Sequence, residues 1–357
     1  MVGRDRNIEK ALQFQKVMKI IIASDSFKGC LSSREVADAA EAAIRGIHPD
    51  CNVVKVPVAD GGEGTVDAVV DCLGGCKVTA EVSDPLGRPV MAEYGIAGGL
   101  AIIESAAACG LTLLAPEERN PLVTTTLGLG ELILDALRHG CKRFIIGLGG
   151  SATNDGGRGM IETPGLLEAA AGAEFTVACD VDTPFVGPQG ASRVFGPQKG
   201  ASSSDVETLE LRMQEYALEI LQRTGLDVRD MKGAGAAGGL GGAFRAFFNA
   251  ELCQGVEMVL DVIGFDSLIQ GAGLVITGEG RSDWQTAKGK TPAGVLRRAS
   301  KYGIPVALVS GSVVDCPELR QMGFASISAV TPVGMPLEEA LKPDVARQNI
   351  FRHFREF

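Results

Sequence analysis

The hydrophobic pattern along the chain becomes regular at Met18. An apolar run at Lys19–Ala23 predicts a strand, and a polar loop follows at 24–31. Ser32 then stands three residues before Glu35, the spacing of a capping box, and apolar residues at helical intervals carry a helix to about Gly46. The pattern repeats: a strand at 53–58, a loop at 60–65 and a helix to about Cys72. Strand, loop and helix in alternation predict a parallel, doubly wound sheet. Near residue 78 the period changes. Val78–Val82, Val90–Ile96 and Leu100–Ile103 are short strands separated by the turn sequences Asp84-Pro85-Leu86-Gly87 and Ala97-Gly98-Gly99. Such hairpins predict an antiparallel section.

Further along, the pattern predicts a helix at 126–139, a strand at 143–148, a glycine loop at 149–159, a strand at 175–180 and a long helix at 204–223. A Gly/Ala tract at 233–242 reads as close backbone packing, and helical segments follow to about 270. Strand–helix alternation then returns, with strands at 274–277, 305–310 and 325–330 and a helix at 291–301. The expected fold class is α/β: a Rossmann-like doubly wound domain, with a second α/β domain inserted. Residues 18–77 and 271–357 form the discontinuous domain, and 78–270 the insert. Residues 1–17 read as an N-terminal extension outside both. A cleft between two such domains is the expected ligand site.

Composition narrows the function. The formal net charge of -10 and the lack of an Arg-rich run exclude nucleic acid as the main partner. The most apolar stretch, 100–115, is broken by Glu104 and Gly110 and is short for a membrane span. The N-terminus is charged early and has no hydrophobic signal core, so a cytoplasmic location is expected. Nine cysteines without a Cys-x-x-Cys pair read as reduced thiols, and three histidines outside any motif leave little for His-dependent chemistry. Carboxylates, lysine, arginine, hydroxyls and backbone amides remain.

Glycine is the compositional outlier, 47 residues against the roughly 7% usual in proteins. Much of it falls in four loops at predicted strand ends, the functional edge of an open α/β sheet. These are ASDSFKG (23–29), ADGGEGT (59–65), GLGGSATNDGG (147–157) and GEGRSDWQTAKGKTP (278–292). Glycines admit backbone N–H groups close to an oxyanion, and Lys28, Arg281, Lys288 and Lys290 can neutralise phosphate. Phosphate brings Mg²⁺, for which Asp25, Asp60, Asp155, Asp180, Glu279 and Asp283 offer oxygens. Gly289-Lys290-Thr291 is no Walker A ending, because Trp284 occupies the required glycine position. Trp284 itself reads as a packed side chain, and Thr124–Thr126 as helix N-caps.

These loops, with DPLGRP (84–89), VACDVDTPFVGPQGAS (177–192), FGPQKGA (195–201) and GAGAAGGLG (233–241), occur in the order found in bacterial type-1 glycerate kinases. The chain resembles that family from Met18 to about Leu341. The resemblance implies two α/β domains, one inserted in the other, and ATP- and Mg²⁺-dependent phosphorylation of D-glycerate to 2-phosphoglycerate. With the charge and hydropathy above, the expected partner is the small-molecule substrate D-glycerate, with no nucleic acid and no membrane, and a homodimer is open. Two departures stand out. The segment 161–174 is shorter than in the family, and Val123, Leu127 and Leu129 occupy positions expected to be smaller or more polar.

In-line transfer demands positioning and charge stabilisation. Asp60 or Asp25 is expected to accept the hydroxyl proton, with Lys28 and Arg281 holding the glycerate carboxylate or the transferring phosphoryl group. Ser26, Phe27, Gly61, Gly62, Glu63, Thr65 and Lys290 are the expected substrate contacts. Gly149, Gly150, Ser151, Thr153, Asn154, Asp155 and Gly156 are expected to wrap the nucleotide phosphates. Asp180 and Asp283 are the candidates for Mg²⁺ or its water shell. The competing classes are a kinase for another small sugar acid or polyol, a non-catalytic anion-binding protein, and a dehydrogenase that binds NAD(H).

Overall fold

A computed structural model describes residues 18–355; the expected extension 1–17 lies outside the described residues. Thirteen strands occur among them. In chain order they are Lys19–Ser24 (β1), Asn52–Lys55 (β2), Cys76–Ser83 (β3), Pro89–Ala97 (β4), Leu100–Glu104 (β5), Arg143–Gly147 (β6), Glu174–Ala178 (β7), Glu251–Cys253 (β8), Leu274–Gly278 (β9), Arg281–Ser282 (β10), Val306–Ser310 (β11), Ser312–Val313 (β12) and Ser326–Ala329 (β13). The chain divides into two compact units, one running to Asp60 and resuming at Val259, the other spanning Gly61–Met258.

The discontinuous unit carries a five-stranded, all-parallel sheet in the order β13-β11-β9-β1-β2. β1 steps one way to β2, and β9 steps the other way to β11 and β13. The order therefore reverses between β1 and β9, which is where an open α/β sheet opens a crevice at its carboxyl edge. Alternation along β1 explains the layers. Ile20 and Ile22 pack with Val36, Ala40, Ala43 and Ile44 of helix Ser33–Ile47 and with Ala346, Ile350 and Phe354 of helix Pro343–Arg355. Ser32 caps the first of these helices as expected. Its hydroxyl accepts from the Glu35 amide, and the Glu35 carboxylate accepts from the Ser32 amide.

The inserted unit carries a six-stranded mixed sheet, β3-β4-β5-β6-β7-β8. β3–β4 and β4–β5 are the expected antiparallel hairpins, while β5 to β8 run parallel. Phe144 on β6 stacks on Phe175 of β7 with ring centroids 4.6 Å apart, and Phe244 and Phe248 of helix Ala236–Phe248 close over Phe175. Rings packed this way are stiff as well as apolar. They fix the amino ends of β6 and β7, at the edge of the sheet opposite the loops that follow these strands.

Two features differ from the sequence expectation. The boundary expected at 77 falls at Asp60–Gly61, and the return expected at 270 falls at Met258–Val259. Helix Thr65–Leu73 belongs to the insert because Val66 and Val70 press on Gly95 of β4, where a Cβ would lie 2.5 Å from the Val70 methyl. Its periodicity shows that it is a helix, but not which sheet it covers. β8 falls where the pattern predicts helix. It has three residues, too few to display a period, and is held by pairing with β7.

The Gly/Ala tract packs closely, as expected. Within helix Ala236–Phe248, Ala237, Gly238 and Gly239 are left-handed, at φ 50°, 70° and 101°. This turn lets the backbone meet the loop after β6, with the Gly156 amide donating to the Gly238 carbonyl at 2.9 Å. A Cβ on Gly238 would stand 2.0 Å from the Thr153 carbonyl oxygen. Ala237 has no glycine freedom, and a left-handed alanine costs roughly 1–2 kcal/mol.

Candidate active site

In the discontinuous unit, the loops after β1 and β9 converge on one cavity of about 470 Å³. Asp25, Ser26, Phe27, Lys28, Asp60, Arg281 and Lys290 all line it, as does Glu279. Four of these were the expected catalytic groups, and Ser26, Phe27 and Lys290 were expected substrate contacts. The cavity lies at the reversal of strand order: the Asp25 amide donates to the Gly278 carbonyl across β1 and β9 at 2.9 Å.

Asp25 is buried. One oxygen, Oδ1, accepts from the Ser26 amide at 2.7 Å, and Oδ2 accepts from the Thr291 hydroxyl at 2.8 Å. Burial first, and then the nearby Asp60, push its carboxyl up to about 7, while Thr291, Lys28 and the Ser26 amide pull the other way. A carboxyl poised near neutrality in a cleft is suited to moving a proton. The Lys28 ammonium lies 3.7 Å from Asp60 Oδ2 and is more than half exposed, so its charge is available to an anion.

Glu279 lines the same cavity. Its Oε1 accepts from the Ser282 and Thr286 hydroxyls at 3.0 and 2.6 Å, and its Oε2 lies 3.3 Å from the Lys290 ammonium. Lys290 is the residue before helix Thr291–Ser300, so the network fixes the point at which Thr291 reaches Asp25. Arg281 is exposed, with its Nε 3.5 Å from Asp283 Oδ2. Trp284 is half exposed, with the Lys288 ammonium 4.4 Å above its ring. The expectation of a packed tryptophan is thereby corrected: the loop that carries it lies on the surface.

Gly61, Gly62, Glu63 and Thr65 belong to the inserted unit. The Thr65 hydroxyl is spent on the Gly62 carbonyl at 2.7 Å, and Glu63 is exposed. Gly61 has no room for a side chain, since a Cβ would lie 2.5 Å from the Ala178 methyl. Glu104, at the end of β5, accepts from the Val66 amide at 2.9 Å and so anchors the start of this helix; burial pushes its carboxyl up.

The loop after β6 holds the expected nucleotide contacts. Gly149 and Gly150 are exposed, while Ser151, Thr153, Asn154 and Gly156 are buried. Asp155 is tied down: its carboxylate accepts from the Thr126 amide and hydroxyl, both at 2.8 Å, and from the Gly157 and Gly159 amides. Thr126 precedes helix Leu127–Arg138, but its hydroxyl does not cap that helix. It serves Asp155, which corrects the N-cap reading. The Asn154 side chain donates to the Ser192 hydroxyl at 2.9 Å. Leu129 is wholly buried in the core, whereas Val123 is exposed.

Sequence reasoning missed Lys199. Its ammonium donates to the Ser151 hydroxyl at 2.9 Å and to the Thr153 carbonyl at 2.6 Å from a fully buried position. The available signal was the lysine between Gly196 and Gly200 in FGPQKGA. Thr291 was missed as well, and its position in GKTP was the only pointer.

Asp180 is exposed at the end of β7 and accepts from the Gly255 amide at 3.0 Å. Asp283 accepts from the Gln285 amide at 2.9 Å. No cluster of three or more His, Cys, Asp or Glu side chains able to hold a metal occurs among the described residues. No described helix is long and apolar enough to cross a membrane.

Comparison with known proteins bears on the family and the fold. The profile of the glycerate kinase family matches residues 20–168 and 161–356. The two stretches overlap in the segment that the resemblance marks as short, where the chain makes only the one-turn helices Arg158–Ile161 and Leu166–Ala169. A glycerate kinase of Bacillus subtilis is 44% identical, with 91% of this chain and 93% of that protein covered. A glycerate 2-kinase of Escherichia coli is 45% identical, with 95% and 96% covered. A crystal structure of a protein assigned as glycerate kinase 2 of Salmonella typhimurium superposes with a TM-score of 0.86 at 42% identity, covering 96% of this chain and 97% of that one. The protein is a kinase that phosphorylates an alcohol group. It belongs to the glycerate kinase family.

Proposed function

We propose that the protein transfers the γ-phosphoryl group of ATP to a hydroxyl of D-glycerate, giving 2-phosphoglycerate. The observation that carries this reading is Asp25, a buried carboxylate with a proton affinity near neutrality, in one cavity with Asp60, Lys28, Arg281 and Lys290. In-line phosphoryl transfer needs little covalent help from the protein. Asp25 accepts the proton of the attacking hydroxyl, with Thr291 and the Ser26 amide fixing its two oxygens. Asp60 raises the basicity of Asp25 and holds Lys28. Lys28, Arg281 and Lys290 bind the glycerate carboxylate and the transferring group, with Ser26 and Phe27 lining the same cavity. Gly61, Gly62, Glu63 and Thr65 complete the substrate contacts. The exposed Gly149 and Gly150 and the loop through Gly156 receive the nucleotide phosphates. Mg²⁺ bound with the nucleotide supplies charge neutralisation, and Asp180 and Asp283 are the carboxylates that would hold it or its waters.

The test is ADP release coupled to a chromogenic reaction, with D-glycerate, L-glycerate, glycerol and hydroxypyruvate as acceptors, with and without Mg²⁺. Phosphorus NMR of the product distinguishes the 2- from the 3-phosphate. D-glycerate is expected to give turnover only with Mg²⁺, and the 2-phosphate to accumulate. No ADP release with D-glycerate refutes the substrate, and a 3-phosphate refutes the product.

A further inference from the structure

Lys199 is a buried charge without a direct ion pair. It lies in the tight turn Pro197–Lys199, and its ammonium spends two of its three N–H bonds on Ser151 Oγ and the Thr153 carbonyl. The titratable groups that act on it are Asp155, in the loop it holds, and the Cys109 thiol, on the short helix Ala106–Cys109. Neither neutralises it by contact. The Asp155 carboxylate is occupied by the Thr126 and glycine donors, and burial pushes the Cys109 thiol far above its usual range, so it stays protonated. Burial drives Lys199 down to about 7, and the Asp155 carboxylate only partly restores it.

The surroundings are unfinished in the same way. The Thr153 hydroxyl, the Asn154 side-chain oxygen and the Ser105 hydroxyl at the end of β5 are buried without a hydrogen-bond partner. The amides of Gly149, Gly150 and Ser151 donate to no acceptor among the described residues. A buried ammonium and unsatisfied polar atoms each cost free energy, and such sites persist where a ligand completes them. Because Lys199 donates to Ser151 Oγ, the Ser151 hydroxyl hydrogen is directed elsewhere. The Gly149–Ser151 amides and the Thr153 and Ser105 hydroxyls are donors that suit an anion, whereas the Asn154 oxygen is an acceptor and suits a water.

We propose that Lys199 is the positioning residue of a phosphate-binding loop: it holds Ser151 and Thr153 so that the Ser151 hydroxyl and the amides of Gly149–Ser151 receive a nucleotide phosphate, and arrival of that anion fixes a proton on Lys199. This rests on the reading that the loop after β6 binds the nucleotide. It adds a residue that this reading did not contain and a proton that the reaction otherwise does not take up.

The experiment has two arms. Steady-state kinetics on Lys199→Met and Lys199→Arg, with Ser151→Ala alongside, report KM for ATP and for D-glycerate. Lys199→Met is expected to raise KM for ATP roughly tenfold or more, with KM for D-glycerate within about twofold and partial rescue in Lys199→Arg. Calorimetry of ADP with magnesium chloride at pH 8, in two buffers of different ionisation enthalpy, counts protons. A group with a pKa of about 7 is about nine-tenths neutral at that pH, so the wild type should take up nearly one proton. Asp25→Asn should keep this uptake and Lys199→Met should lose it. Unchanged KM for ATP in Lys199→Met, equal rises in both KM values, or uptake that survives the substitution overturns the proposal. If Ser151→Ala raises KM for ATP while Lys199→Met does not, only the role of Lys199 falls. If neither changes it, the nucleotide reading of the loop falls too. Should Lys199→Met not fold, the wild-type arm decides, because absence of proton uptake refutes the coupling and uptake retained in Asp25→Asn supports it.

Discussion

Asp25→Asn separates activity from stability in a measurable way. Asp25 ionises at 3.8 when unperturbed and at about 7 in the folded protein. Between those values the folded state holds a proton that the unfolded state has lost, so stability falls as pH rises. The contribution is fully present below about pH 4 and gone above about pH 7. A shift of about three units is worth about 4 kcal/mol at 1.36 kcal/mol per unit, and the group is too buried for solvent to screen much of it. Asparagine keeps an oxygen for the Ser26 amide and carries no charge to desolvate. The stability of Asp25→Asn minus that of the wild type should therefore rise by about 4 kcal/mol from pH 4 to pH 8. Urea unfolding followed by fluorescence suits this test, because Trp284 is the only tryptophan and lies in the same unit as Asp25. Turnover should collapse in the same variant. A difference curve that is flat from pH 4 to pH 7 would refute the raised ionisation, and with it the argument for Asp25 as the base.

Three further substitutions probe the parts around it. Thr291→Val removes a hydroxyl that favours the ionised form of Asp25, so the acid limb of kcat/KM should move up by roughly one pH unit while the plateau holds; an unmoved limb means that another group controls it. Lys28→Ala and Arg281→Ala should each lower kcat/KM by roughly tenfold or more, and values near wild type remove the residue from the transition-state contacts. Gly238→Ala places a Cβ 2.0 Å from the Thr153 carbonyl oxygen and should cost on the order of 3 kcal/mol in thermal or urea unfolding. Ala237→Gly should instead gain about 1 kcal/mol.

What the sequence made legible was local. The Ser32–Glu35 box, the hairpins at β3–β4 and β4–β5, the long helix Ser203–Thr224 and the strand-end loops are each encoded within a few neighbouring residues. What it hid depends on distant partners. Thr291 reaches Asp25 from 266 positions away and Lys199 reaches Ser151 from 48, and no periodicity carries such pairings. The boundary at Gly61 was hidden for the same reason, because helix Thr65–Leu73 has an apolar face that two sheets could satisfy. Asp155 shows the converse error of emphasis. An acid in a glycine loop reads as a ligand for phosphate or metal, yet its oxygens are consumed by four donors of its own unit.

The two loop systems reach an anion by different physical routes. Around Asp25, function is placed in side chains: a buried acid, a hydroxyl that orients it and cations that remain partly exposed. The loop after β6 instead works through its backbone. A backbone site must be rigid, since amides that wander lose the preorganisation that makes them useful. That demand accounts for three costly features at one place. The left-handed Ala237 lets Gly238 brace the Thr153 carbonyl, Asp155 gathers four donors from both sides of the loop, and the Lys199 ammonium is buried to hold Ser151. Each is unfavourable or neutral for stability alone, but together they leave Gly149–Ser151 with its amides unpaired on a frame braced from three directions. If rigidity is what these features serve, Ala237→Gly should gain stability and still weaken ATP binding. A variant that gained both would show that the left-handed turn braces nothing.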